Sequence, residues 1–186
     1  MFIELPLFSP RSLTLKLPAV AFTLLELLIT VAVIGVLVSL LMPSLSNARR
    51  KADSGGCIGN LRQIGIAVRL YADENGGRLP HAQNSARLGS KLATELPLIQ
   101  HVLAPHVSAV RNIFKCPADK AGVFVREGSS YEWNASLNGR ILHRIGQDRP
   151  DEDSTKTFLL RDGEGWHPGR RKNAVFVDGH AGPQSL

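Results

Sequence analysis

Six histidines, two cysteines and two acidic loops are the residues of this chain whose chemistry invites a functional reading. The histidines are His81, His101, His106, His143, His167 and His180. None forms a His-x-x-x-His pair, and no His-Glu-x-x-His motif is present, so no helix face offers two imidazoles to one metal. Isolated histidines of this kind read as surface or satisfied core residues. Cys57 and Cys116 belong to no Cys-x-x-Cys motif, so a four-ligand zinc site lacks its thiolates. In an exported domain the two could pair as one disulfide. That bond would close a loop of about 60 residues and contribute about 4 kcal/mol in the chain-entropy model. Two separate thiols are the competing reading, and spacing alone does not choose between them. Asp151-Glu152-Asp153 and Asp162-Gly163-Glu164 are rich in oxygen ligands but lack the twelve-residue EF-hand spacing. There is no Gly-x-Ser-x-Gly elbow, no phosphate-binding Gly-x-x-x-x-Gly-Lys loop and no triad spacing. Nothing here supports an enzyme.

One further ionisable residue stands out by its surroundings. Phe22 to Met42 is a run of 21 residues with a single charge, Glu26. As a helix the run would extend about 30 Å, the thickness of a hydrocarbon core. A carboxylate inside such a span costs on the order of 2 kcal/mol or more unless it is paired or lies near the interface. Glu26 is therefore either functional or a membrane-edge residue reaching the headgroups. Residues 1–21 read as a leader, with Arg11 and Lys16 ahead of Leu17-Pro18-Ala19-Val20-Ala21. In an ordinary secretory signal the small residues follow the apolar stretch. Here Ala21 precedes it, so a cut at that point would leave the apolar block on the mature chain. Basic residues flank the block on both sides, the far ones being Arg49, Arg50 and Lys51, so charge alone does not set topology.

The composition sets the outer bounds. Of 186 residues, 44% are hydrophobic, and the apolar block holds a disproportionate share of them. What remains is polar, bears Gly and Pro, and has few core residues, which argues against a free-standing cytosolic enzyme. Apolar clusters recur to the C-terminus, so the chain is not disordered. No second stretch approaches 18 apolar residues, so it is not a multi-pass transporter. The formal charge of +6 permits contact with anionic lipid or nucleic acid. The basic residues are scattered, and no aromatic residues interleave with them to make a base-stacking surface. A solvated basic surface is the ordinary reading.

Ala21-Phe22-Thr23-Leu24-Leu25-Glu26-Leu27-Leu28-Ile29 resembles the type IV prepilin signature, in which a small residue precedes Phe-Thr-Leu-x-Glu-Leu and a long apolar helix. Pro43 stands where pilins and pseudopilins usually carry proline, at a point where the helix could kink. The resemblance implies cleavage between Ala21 and Phe22 by a prepilin peptidase and N-methylation of Phe22. It also implies a single-pass protein of the bacterial inner membrane, leader inside, with the C-terminal domain in the periplasm or on the cell surface. Glu26 would pair with the Phe22 amine of a neighbouring subunit and so set register in a filament. Asn60-Leu61-Arg62-Gln63-Ile64-Gly65, Tyr71-Ala72-Asp73-Glu74-Asn75 and Phe114-Lys115-Cys116-Pro117-Ala118-Asp119 are similar to a large bacterial group of prepilin-type proteins. That group often ends in a His, nine residues and Asp-Gly. Here His167 and Asp178-Gly179 are separated by ten. By analogy with the major pseudopilin of type II secretion, which holds calcium in a C-terminal loop, Asp151, Asp153 and Asp162 are candidate calcium ligands.

The function implied is a structural subunit of a pilus or of a type II secretion pseudopilus. Its partners would be prepilin peptidase, like subunits or other pseudopilins, and the inner-membrane assembly machinery. The alternative is a membrane-anchored exported module that binds a substrate, glycan or DNA and forms no filament.

The elements that must carry these residues follow from periodicity. Ile58, Leu61, Ile64, Val68 and Tyr71 recur at three or four residues, so one long helix is expected over 22–75, ending at Asn75-Gly76-Gly77. Pro43 and Gly55–Gly59 are its soft points, each glycine costing about 1 kcal/mol against alanine. Residues 78–112 read as irregular, with a short helix or two. Strands are expected at 113–115, 122–126, 157–160 and 174–177, the last ending in an Asp-Gly turn. The fold class is then α+β, a long N-terminal transmembrane helix packed on a small antiparallel sheet. The expected organisation is a leader (1–21), a transmembrane helix (22–42), a helical stem (43–77) and an exported globular domain (78–186).

Overall fold

The computed structural model describes residues 22–84, 96–107, 113–149 and 152–184. The leader, with Ala21, and Asp151 lie outside the described residues. The chain divides into two compact units, Met1–Met42 and Pro43–Leu186. Helix α1, Leu24–Glu74, runs through both and includes Pro43.

In the first unit every described side chain is exposed. The apolar window of α1 has no buried share, and α1 is long and apolar enough to cross a membrane. Two of its hydroxyls are satisfied within the helix. Thr30 Oγ1 donates to the Leu27 carbonyl at 2.8 Å and Ser39 Oγ to the Val36 carbonyl at 2.7 Å. Such back-bonding lets hydroxyls sit on a helix surrounded by hydrocarbon, where an unpaired polar group is costly.

In the second unit α1 becomes one-sided. Cys57, Leu61, Ile64, Gly65, Ala67, Val68 and Ala72 are buried, while Arg62, Gln63, Ile66 and Leu70 stay exposed. The buried stripe lies on a four-stranded antiparallel sheet of strand order β1-β2-β3-β4. The strands are β1 (Tyr131–Trp133), β2 (Phe158–Asp162), β3 (Asn173–Phe176) and β4 (Ala181–Pro183). Tyr131 pairs with Asp162, Leu160 with Val175, and Val175 with Ala181. All four residues of β3 are buried, as befits a central strand covered by α1. Trp133, Leu137, Leu159, Leu160 and Val175 join the helix stripe in one core. The fold is thus α+β, as the pattern of elements implied.

The elements depart from expectation at two strands. Residues 122–126 do not form a strand. Residues 123–126 lie in helix α3, Val123–Glu127, with Gly122 just ahead of it. The Val-Phe-Val run has strand composition, but Asp119 decides the outcome. Its Oδ1 accepts from the Val123 amide at 3.0 Å and its Oδ2 from the Phe124 amide at 2.7 Å. These bonds satisfy helix donors that would otherwise be orphaned. Residues 113–115 lie in a turn instead of a strand. Ile113 and Phe114 are buried there, and the Phe114 carbonyl accepts from the Ser130 amide at 2.8 Å. The strands that replace them are β1, whose three residues alternate in burial, and β4, Ala-Gly-Pro, which has no strand signal of its own. β4 is brought to the edge by the turn at Asp178-Gly179, where Gly179 takes a φ of 97°. Helix α2, Ile99–Val102, and a following 3₁₀ turn at Ala104–His106 supply the short helical pieces between α1 and the sheet.

Candidate functional site

The N-terminus of α1 is built as a capped helix start. The Glu26 amide donates to Thr23 Oγ1 at 3.2 Å, and the Leu27 amide to the Thr23 carbonyl at 3.2 Å. Thr-x-x-Glu is the capping-box pattern, and an acid in the first turn interacts favourably with the helix dipole. Glu26 therefore has a local reason to be where it is, which the reading of the sequence as a membrane block overlooked. The signal was present in the spacing Thr23-Leu24-Leu25-Glu26. Phe22 and Glu26 are both exposed, and no other charged residue lies in the described part of this unit.

The second cluster lies inside the globular unit. Cys57 comes from α1 and Cys116 from the loop ahead of α3, and their sulfurs are bonded, with the α-carbons 5.0 Å apart. Both residues are fully buried. Asp162, the last residue of β2, and His167, ahead of β3, lie against this bond. His167 Nε2 is 2.9 Å from Asp162 Oδ2 and 3.9 Å from Cys116 Sγ. The imidazole is 3% exposed and the carboxylate 0%. The Asn173 amide donates to Asp162 Oδ2 at 2.6 Å, and Asn173 Nδ2 donates to Ser54 Oγ at 3.1 Å. The start of β3 is thereby tied to α1 one turn before Cys57. One candidate metal ligand, Asp162, thus belongs to a cluster with both cysteines and a histidine, a convergence that no sequence spacing announces.

The Asp-Gly end of the C-terminal motif is placed elsewhere. Asp178 Oδ1 accepts from the His180 amide at 3.0 Å and lies 2.7 Å from His180 Nδ1. Burial pushes the Asp178 carboxyl up, but the bonds from His180 and the nearby Arg69 charge outweigh it and hold it below the usual carboxylate range. His180 stacks on Phe176, ring centroids 4.2 Å apart. Arg69 Nη2 donates to the Val177 carbonyl at 2.7 Å, docking the turn on α1. A side chain at Gly179 would press on the Arg69 guanidinium, so glycine there serves both the turn and this close approach. Asp162, with His167 against it, and the Asp178-Gly179 turn thus lie at the two ends of β3.

The acidic loop has partners of its own. Asp153 Oδ1 accepts from the Thr155 hydroxyl at 2.7 Å and the Thr155 amide at 2.8 Å, which hold its carboxyl low. Lys156 Nζ lies 3.5 Å from Asp153 Oδ2. Glu152 makes a two-pronged pair with Arg140 at 2.6 and 2.7 Å. Asp153 and Asp162 are therefore engaged with separate partners.

The chain is 30% identical over 101 residues to the type II secretion system core protein G of Escherichia coli K12. The chain resembles a pseudopilin. The matched stretch is 54% of this chain and 66% of that protein, just under two thirds of its length. No family model matches the chain. No solved structure matches it. The similarity agrees with the pilin-like α+β architecture, and a single long apolar helix near the N-terminus fits a single-pass membrane anchor.

Proposed function

We propose that this chain is a structural subunit of a type II secretion pseudopilus or of a related pilus, assembled through α1. The observation that carries the reading is Glu26, a lone carboxylate on an exposed apolar helix, in a chain similar to a secretion-system core protein. Residues 1–21 are the leader. Prepilin peptidase cuts between Ala21 and Phe22, and the new Phe22 amine is methylated. Residues 22–42 hold the chain in the inner membrane, residues 43–77 form the stem, and residues 78–186 make up the exported domain, facing the periplasm or the cell surface. The break between compact units at Met42 and Pro43 falls at the proposed boundary between the membrane segment and the stem.

In the filament, the Phe22 amine of one subunit meets Glu26 of the next. Pairing removes two charges that would each be costly in low dielectric, and it is satisfied at one axial offset only. The other contacts of the apolar segment are made by Leu, Val, Ile and Ala, which suit lipid and neighbouring helices alike. The partners are therefore like subunits or other pseudopilins, with the inner-membrane assembly machinery.

Two substitutions at Glu26 test this. Glu26→Ala removes the charge and the capping acid. Glu26→Gln removes the charge but keeps a residue that serves a capping box. Intact mass of membrane-extracted protein should show loss of residues 1–21 and one added methyl in wild type and both variants. Sheared surface filaments, or secretion of a reporter, should be lost in both variants alike. An uncompensated amine costs several kcal/mol at every subunit contact. Normal assembly by correctly processed Glu26→Gln protein would refute the pairing, and processed wild-type protein that forms no filament and supports no secretion would leave the membrane-anchored binding module as the reading.

A further inference from the structure

The cluster of Cys57, Cys116, Asp162 and His167 has no role in assembly through α1, and its composition is more than a disulfide needs. All four residues are buried, and one ligand atom from each lies within 4.8 Å of the others. A disulfide requires only the two sulfurs. A fully buried carboxylate beside a buried imidazole adds desolvation cost that the covalent bond does not offset. One of their polar atoms, Asp162 Oδ1, is buried with no hydrogen-bond partner among the described residues. Buried polar atoms without partners are rare and call for an explanation, an unplaced ion among them.

We propose that the dithiol form of this chain binds one zinc-class divalent ion through Cys57, Cys116, His167 and Asp162, and that metal and disulfide are alternative cross-links at one site. Two thiolates, an imidazole and a carboxylate are a donor set that selects zinc among common divalent ions. Ligand distances of about 2.3 Å to sulfur and about 2.0 Å to nitrogen or oxygen put tetrahedral ligand atoms about 3.3–3.8 Å apart. His167 Nε2 is within about 0.4 Å of that range, at 2.9 Å from Asp162 Oδ2 and 3.9 Å from Cys116 Sγ. The two sulfurs are the atoms that must part. Outer support is in place, because Asp162 also accepts from the Asn173 amide. A carboxylate held in this way keeps its orientation toward the ion.

The chemistry balances without an added reductant. Cysteines are made as thiols, so a newly synthesised chain already holds the dithiol. Binding forms two zinc–sulfur bonds and releases two protons. Both cross-links join α1 to the loop before α3, and the metal would add the β2–β3 end of the sheet through Asp162 and His167. The metal form would hold α1 to that loop in the dithiol chain, and the disulfide would do so once the thiols are oxidised.

The test uses the full-length chain, extracted from membranes in detergent and reduced with a phosphine reductant. Zinc content is measured by mass spectrometry, and cobalt(II) is titrated in its place. One zinc per chain and a thiolate-to-cobalt charge-transfer band are expected. Protein isolated from the exported compartment, with the disulfide formed, should hold none. His167→Ala and Asp162→Asn should each weaken zinc binding by at least about tenfold, while His143→Ala, at an exposed histidine, should not. Circular dichroism checks that each variant keeps its helix and sheet. Zinc well short of one per reduced chain would overturn the proposal. So would a cobalt spectrum without the thiolate band, or His167→Ala binding as well as His143→Ala. A reduced chain that is unfolded with zinc present would also overturn it.

Discussion

Two glycines on one helix should respond to the same substitution in opposite directions. At Gly65 a Cβ would lie 2.6 Å from Val175 Cγ2 and 3.7 Å from Val175 Cβ and Cγ1. Carbon atoms pack at about 3.5–4.0 Å, so the helix or the valine must give by about 1 Å. Val175 cannot step aside. It is fully buried, its β-branched side chain has few rotamers, and its backbone is paired to Leu160 and Ala181 on either side. Forcing a methyl into a packed core costs about 1–3 kcal/mol. Against that, alanine in place of glycine inside a helix gains about 1 kcal/mol. Gly59 receives the gain alone, since nothing lies within 4 Å of a Cβ there. The propensity gain cancels between Gly59→Ala and Gly65→Ala, so the gap between them is the packing cost itself, about 1–3 kcal/mol. For a domain of about 150 residues that corresponds to about 3–9 °C in melting temperature. The unfolding of detergent-solubilised protein can be followed by tryptophan fluorescence, since Trp133 is buried in the same core. Pairing Gly65→Ala with Val175→Ala should recover part of the loss, giving a coupling of about 1 kcal/mol. A Gly65→Ala protein that melts at or above Gly59→Ala would show that the helix does not sit against β3 at this distance.

The disulfide and the Asp119 cap allow two more tests. Cys57→Ala, Cys116→Ala and the double variant should each lose about 4 kcal/mol in denaturant unfolding under oxidising conditions, because the cross-link is lost whichever end is removed. Strictly additive single losses would contradict a bond between them. Asp119 accepts from the Val123 and Phe124 amides and from Ser130 Oγ, and these bonds outweigh burial to hold its carboxyl below the ordinary 3.8. A depressed folded-state value means that the stabilisation is complete above pH 3.8 and is lost as pH falls through the lower folded value. Asp119→Asn should therefore cost about 1 kcal/mol at neutral pH, and the gap from wild type should close in acid. A gap that stays constant down to the acid limit would refute the assignment.

The parts of the fold that the sequence disclosed are those governed by long, regular patterns. The apolar block and the stripe Leu61, Ile64, Val68 carry a helical period over many turns, and both halves of α1 follow from it. The β3 run Asn173–Phe176 and its Asp-Gly turn are likewise local signals. Residues 122–126 misled because strand composition in a five-residue window yields to a single capping carboxylate, Asp119, that the window does not contain. β4 had no chance of recognition from Ala-Gly-Pro, since it exists because the turn at Gly179 delivers it to an open sheet edge.

The candidate sites divide along the same physical line. Glu26 is legible because its meaning lies in contrast with its sequence neighbours, one charge in an apolar run, with Thr23 three residues before it. The meaning of His167 and Asp162 lies in residues far along the chain, Cys57 on the helix and Cys116 before α3. No period or spacing connects these four positions. They meet because the stripe that buries Leu61 and Ile64 also fixes Cys57 against the sheet, and because Ser54 and Asn173 bind β3 to the same stretch of helix. A pattern that serves packing thus assembles a polar cluster as a consequence. Substitutions in the stripe should therefore disturb the chemistry at Cys57 without touching it, while substitutions among Leu24–Met42 leave that cluster alone, since every described side chain there is exposed.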